Sequence, residues 1–218
     1  MDESKLFVRT IERNDGQEIN INQCEVGDVG CVVWDAAIVL AKYFETPDFE
    51  NGHAWRNKCV VELGAGTGVV GLLVASYGAK TIMTDLAEFV PLIEYNIDFN
   101  KTLFQMEASA KTLKWGEPTV DTPEYRNIDV VIVADCIYYD ESLEPLVNTM
   151  YDLCSKDTFV YCCYEERTTG NKPELQRRFM QLSSEKFEIE EIPMSQQDPV
   201  FCSKDIHILK MTLKPLDT

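Results

Sequence analysis

The run Val60-Val61-Glu62-Leu63-Gly64-Ala65-Gly66-Thr67-Gly68 joins an apolar stretch, a carboxylate and alternating glycines. Glycine lets a chain bend sharply and lets a ligand approach the backbone with no Cβ in the way. Behind such a turn, the first residues of a helix offer free N–H groups to a polar or anionic ligand. Asp85 ends the next apolar stretch, where a carboxylate can accept hydrogen bonds from both hydroxyls of a ribose. Together these residues describe a nucleoside site. Gly66-x-Gly68-x-x-Gly71 also satisfies the dinucleotide fingerprint, which alone is weak evidence. Glu62 separates the two readings, because its carboxylate would repel a pyrophosphate and would neutralise a cationic ligand group.

A second constellation is Ala134-Asp135-Cys136-Ile137-Tyr138-Tyr139. An acidic residue with aromatic residues three and four positions on can position an amine nucleophile. A lysine amine has a pKa of about 10.4 and must lose its proton before it can attack. An apolar aromatic pocket favours that loss by desolvation, and tyrosine faces can stabilise a developing ammonium. The plainer alternative is that Asp135 caps the following turn and the tyrosines pack on the surface. Trp34 and Trp115 are expected at the same edge, where an indole can pack on a purine base, with ordinary burial as the alternative. Cys162-Cys163-Tyr164-Glu165-Glu166-Arg167 points the same way, and its Glu165 and Arg167 are either substrate contacts or a solvated loop.

The elements that must hold these residues follow from hydrophobic periodicity. Alternating residues around Asn14-Asp15-Gly16 predict a β-hairpin. Val32 to Phe44 has helical spacing, with Pro47 beyond its end. From Lys58 strands and helices alternate. The strand Cys59–Leu63 leads through the glycines into a helix to about Tyr77, and Thr81–Thr84 precedes a helix from Ala87 to about Asn100. A short strand at Ala110–Leu113 follows, then the most apolar strand, Ile128–Ala134, and a helix from Leu143 to Cys154. Thr158–Tyr164 is the fifth strand of this series, and Pro173 opens a helix to about Leu182. Phe187–Ile192 and Ile206–Leu213 both alternate and predict an antiparallel pair at the sheet edge. The sum is a Rossmann-like, mostly parallel sheet with helices on both faces and a C-terminal antiparallel hairpin. With no repeat or linker, one domain is expected over residues 1–218, its hairpin extension at 1–30 and its core at 31–218.

Composition narrows the partners. The 218 residues carry a formal net charge of −17, which repels nucleic-acid backbones and attracts cationic side chains, or simply keeps a monomer soluble. No apolar run suits a membrane span, and the acidic start Met1-Asp2-Glu3-Ser4-Lys5 does not resemble a secretory leader. A cytoplasmic protein is expected, with a nuclear pool as the further alternative. The eight cysteines include no Cys-x-x-Cys pair, and His53 and His207 stand at no ligand spacing to them. Reduced thiols and no metal are expected.

Glu62, the closing hairpin and the lack of room for a separate substrate domain favour S-adenosylmethionine over a dinucleotide. The motifs Val29–Ala37, Glu62–Gly68, Leu113–Glu117 and Ala134–Tyr139 occur in order and resemble those of the methyltransferase-like, seven-β-strand protein lysine methyltransferases. Cys162–Glu165 and Ser203–Ile208 extend the likeness, which covers about Phe7 to Ile208. The resemblance implies a class I methyltransferase fold with cofactor contacts from Trp34, Gly64, Ala65, Gly66, Asp85, Trp115 and Ala134. Glu62 joins that set by the charge argument above. The resemblance also implies a substrate-lysine role for Asp135 and Tyr138. It implies a folded protein acceptor, and trimethylation of valosin-containing protein, a hexameric AAA ATPase, is the expected reaction. Another chaperone or a small amine is the alternative acceptor, and a non-catalytic binding module of the same fold is the alternative class.

Overall fold

The computed structural model describes residues 3–24, 29–118 and 122–215. Of the N-terminal stretch read above, Met1 and Asp2 lie outside them. Strands β1 (Leu6–Glu12) and β2 (Glu18–Cys24) form the expected hairpin, with Gly16 in its turn at φ 83°. The main sheet comprises β3 (Cys59–Leu63), β4 (Lys80–Asp85), β5 (Ala108–Thr112), β6 (Val130–Ala134), β7 (Phe159–Glu165), β8 (Phe187–Glu191) and β9 (Ile206–Leu213). Its order is β5-β4-β3-β6-β7-β9-β8. The first five of these neighbours are parallel, and β9 pairs antiparallel with both β7 and β8. The sequence reading of a mostly parallel sheet with a C-terminal antiparallel pair therefore stands.

Continuous apolar strands are what a sheet covered on both faces requires. Helices α1 (Asp35–Tyr43), α2 (Val69–Ser76) and α3 (Val90–Asn100) lie on one face, and α4 (Asp140–Leu153) and α5 (Lys172–Lys186) on the other. Alternate residues of one strand serve the two faces. Val60 packs with Leu40 and Val70, whereas Val61 and Leu63 pack with Leu146, Met150 and Phe179. Burying each such side chain contributes roughly 1.5–3 kcal/mol.

Two asparagines fasten the hairpin to this core. Asn96 Oδ1 accepts from the Asn22 backbone N–H at 2.8 Å, and its Nδ2 donates to the carbonyls of Asn22 and Thr67 at 3.0 Å. One turn later Asn100 repeats the pattern with Asn20. Thus α3 supplies amides where β2 has an open edge, and the same helix reaches the glycine loop through Thr67.

Several boundaries differ from expectation. The helix expected from Val32 begins at Asp35, because Val29–Cys31 forms a separate 3-10 turn and Trp34 is extended (φ −88°, ψ 153°). The helix expected from Ala87 begins at Val90, which leaves Pro91 in the first turn, where its missing N–H costs nothing. In contrast, α4 starts earlier, at Asp140, with Asp140 and Glu141 favoured by the helix dipole. Strand β5 sits at Ala108–Thr112 rather than Ala110–Leu113, its half-buried edge pattern giving a weak signal, and α5 runs on to Lys186.

Candidate active site

From β3 the chain steps outward through β4 to β5, then returns to β6 on the other side of β3. Such a reversal opens a crevice at the carboxyl ends of the two central strands. A cavity of about 550 Å³ lies there, reached by the loops after β3, β4, β5 and β6. Gly64 adopts φ 64°, and a Cβ on it would stand 2.7 Å from Cys136 Sγ and 2.9 Å from the Trp115 ring. Gly66 adopts φ 56°, and a Cβ there would meet the Gly30 carbonyl oxygen at 2.9 Å. Both positions require glycine by conformation and by space.

Asp85 holds this loop. Its Oδ2 accepts from the Gly66 N–H at 2.7 Å and its Oδ1 from the Leu86 N–H at 2.7 Å. Each oxygen keeps acceptor capacity for a hydroxyl of a bound ligand. Burial pushes its pKa upward, against the two backbone donors. Ala65, Trp34, Trp115 and Ala134 line the same cavity, with Trp34 40% exposed at its mouth.

Glu62 also lines the cavity, from deeper in β3. Its Oε2 accepts from the Gly71 N–H at 2.9 Å, inside the first turn of α2. No side-chain cation stands among its hydrogen-bond or ion-pair partners in the described residues. Burial therefore raises its pKa to about 8, only partly opposed by the Gly71 donor, with Asp85 adding a smaller upward push. A cation entering beside Glu62 would favour the ionised carboxylate.

Asp135 follows β6 directly, with a left-handed backbone (φ 56°) uncommon for a residue with a side chain. The conformation is held because the Asp135 N–H still pairs with the Cys163 carbonyl of β7 at 2.8 Å. The side chain is almost wholly buried, and Oδ2 meets the Arg167 guanidinium at 2.6 Å. The capping alternative is not what the structure shows, since Tyr139 is the N-cap of α4 and Asp135 is engaged by Arg167. Tyr138 is half-buried on the cavity wall, its ring edge-to-face with Tyr139 at 4.8 Å. Lys172 Nζ donates to the Tyr138 carbonyl at 2.9 Å and pins that turn to the start of α5.

All ten residues expected at the site thus border one cavity. Sequence reasoning missed Gly30 as the loop's floor, Cys136 beside Gly64 and Lys172 behind Tyr138. Local periodicity carries no signal for these contacts, which depend on how distant loops meet. No disulfide and no metal-holding cluster of His, Cys, Asp or Glu occurs among the described residues. Nor is any helix in them long and apolar enough to cross a membrane.

With the geometry established, comparison with known proteins gives a consistent result. The Methyltransf_16 family, described as lysine methyltransferase, matches residues 13–186. The chain belongs to the lysine methyltransferase family. It is 31% identical over 183 residues to protein N-lysine methyltransferase METTL21A of Mus musculus, covering 84% of this chain and 77% of that protein. It is 32% identical over 148 residues to EEF1A lysine methyltransferase 3 of Xenopus tropicalis, covering 67% of this chain and 63% of that protein. Among solved structures, the Thermus thermophilus 16S rRNA N2 G1207 methyltransferase superposes with a TM-score of 0.65 at 15% identity. That match covers 96% of this chain and 51% of the other. At such identity the likeness concerns the fold, which is that of the class I methyltransferases. A lysine methyltransferase of this family has no use for a second mononucleotide half, and the dinucleotide alternative falls away.

Proposed function

We propose that the protein transfers methyl groups from S-adenosylmethionine to a lysine of a folded protein, and that this acceptor is valosin-containing protein. The observation that carries the reading is one cavity bordered at one end by Glu62, Gly64, Gly66 and Asp85 and at the other by Asp135 and Tyr138. When bound, S-adenosylmethionine supplies a methyl group on a cationic sulfur. The cavity fits this donor in two respects. Gly64 and Gly66 hold a tight turn in which neither position has room for a Cβ, and Glu62 is a buried carboxyl group that a cationic ligand group would pair with.

Within that reading Asp85 accepts the ribose hydroxyls, and Trp34, Ala65, Trp115 and Ala134 enclose the nucleoside. Glu62 answers the positive charge at the methionine end. Asp135 and Tyr138 orient the acceptor amine, and the tyrosine rings exclude water from it. Holding the amine in line with the methyl group replaces a bimolecular encounter by a fixed geometry. The choice of acceptor within the family rests on the resemblance that the motifs from Val29–Ala37 to Ser203–Ile208 carry together.

Incubation of the enzyme and tritiated S-adenosylmethionine with purified valosin-containing protein tests the acceptor. Lysine label on the ATPase is the expected result. Label on a different protein of a whole lysate, with the ATPase bare, would replace the acceptor and keep the reaction.

A further inference from the structure

The acceptor end of the cavity already holds a cation. Arg167 reaches Asp135 Oδ2 at 2.6 Å and Glu165 Oε2 at 2.9 Å, and its guanidinium lies 5.5 Å from the centre of the Trp34 ring. It borders the cavity itself. The loop that carries it is braced on both sides, by the Glu166 N–H donating to the Asp205 carbonyl at 2.6 Å and by Gln176 Nε2 donating to the Glu165 carbonyl at 3.2 Å. Arg167 is thus a fixed part of the wall, tied to the residue proposed to orient the substrate amine.

An unpaired Asp135 would create a chemical problem. A bare carboxylate in a water-poor pocket stabilises the ammonium form of an arriving lysine, which has no lone pair to give. With Arg167 removed, Asp135 would face that nitrogen as an uncompensated negative charge. The other charged groups on the wall do not substitute for the guanidinium. Glu62, Asp85 and Glu141 are acidic, Lys114 lies on the β5 loop, and Lys172 is engaged with the Tyr138 carbonyl.

We propose that Arg167 is a positioning residue that neutralises Asp135, so that Asp135 orients the acceptor lysine without holding it as an ammonium ion. The inference rests on the lysine methyltransferase reading above. In the step it serves, the ammonium first loses a proton to solvent. The amine lone pair then forms the N–C bond while the C–S bond breaks, and its electron pair remains on the departing sulfur. The product is a methylated ammonium and a neutral thioether. The guanidinium acts before this step, as a like charge that lowers the pKa of the incoming amine.

The test compares wild type, Arg167→Met and Arg167→Lys at saturating S-adenosylmethionine. The pooled, desalted protein of a lysate from cells lacking the enzyme serves as acceptor. Methyl-lysine is counted by mass spectrometry after hydrolysis, as initial rates from pH 6.5 to 10 and at several lysate concentrations. In Arg167→Met the midpoint of the pH–rate profile moves up by about 1–2 pH units. Its maximal rate at neutral pH falls about tenfold or more, its half-saturating lysate concentration falls, and its rate approaches wild type near pH 10. Arg167→Lys restores most of the wild-type midpoint. Melting curves and cofactor titrations establish that each variant is folded. A folded Arg167→Met with an unchanged midpoint, or with an equal loss at every pH, overturns the inference and leaves the lysine reading intact. Absence of methyl-lysine with wild-type enzyme overturns both.

Discussion

The two ends of the cavity place carboxyl groups in opposite electrostatic circumstances. Glu62 is buried, has no side-chain cation among its partners in the described residues, and has its pKa pushed up to about 8 by burial. Asp135 is equally enclosed but is paired with Arg167 at 2.6 Å. The difference follows the charges of the two reactants. A sulfonium donor brings its own positive charge to the Glu62 end, so a waiting carboxyl group gains a partner on binding. The acceptor amine must shed its positive charge, so a carboxylate already neutralised suits the Asp135 end. One fold edge therefore builds a cation-seeking pocket and a cation-satisfied pocket at the ends of the neighbouring strands β3 and β6.

Breaking the acceptor end has the largest expected effect. Asp135→Ala lowers the rate of methyl-lysine formation by about 100-fold or more, because a misplaced nucleophile loses most of the benefit of fixed geometry. Calorimetric affinity for S-adenosylmethionine stays within a factor of about three. Asp85→Ala does the reverse. It removes ribose acceptors and the Gly66 anchor, and cofactor binding weakens by about 1.5–3 kcal/mol in the same titration. An unchanged affinity would place the ribose elsewhere.

Glu62 gives two smaller effects of defined sign. If the bound cation selects the carboxylate, binding releases a proton wherever the free group is protonated. Affinity in wild type then increases as pH rises toward about 8 and levels off above it, whereas Glu62→Gln shows a flat profile. Stability without ligand runs the other way. A carboxyl group whose folded pKa is raised from 4.5 to about 8 makes the folded state bind more protons than the unfolded one between those values. Its contribution is full below pH 4.5 and is lost as pH rises through 8. Urea titrations should therefore show Glu62→Gln gaining on wild type as pH rises from 5 to 9.

The cavity's two ends also differ in how openly the sequence declared them. Glu62, the glycines and Asp85 are local signals at strand ends, and the strand–loop–helix order around them is legible from hydrophobic periodicity. Asp135 and Tyr138 share that advantage, since they follow the most apolar strand. Arg167 does not. Its bond to Asp135 spans 32 positions and exists because β6 and β7 align Ala134 with Cys163. The left-handed turn at Asp135 then aims its carboxylate at the next loop, and no composition or spacing announces a positive φ at an aspartate. Asn96 and Asn100 were silent for the same reason, reading as two polar positions of a helix until β2 is laid beside them. The late start of α1 likewise came from a turn at Val29–Cys31 that apolar spacing does not resolve.

The most direct test of a donor end and an acceptor end in one cavity uses S-adenosylmethionine with a trideuterated methyl group. Wild type and Asp135→Ala are incubated with protein acceptor, and the modified residues are located by mass spectrometry beside a calorimetric measure of cofactor affinity. The account predicts trideuteromethyl groups on lysine with wild type, almost none with Asp135→Ala, and similar affinity in both. Heavy methyl groups on residues other than lysine, or an Asp135→Ala enzyme that keeps its rate, would contradict it.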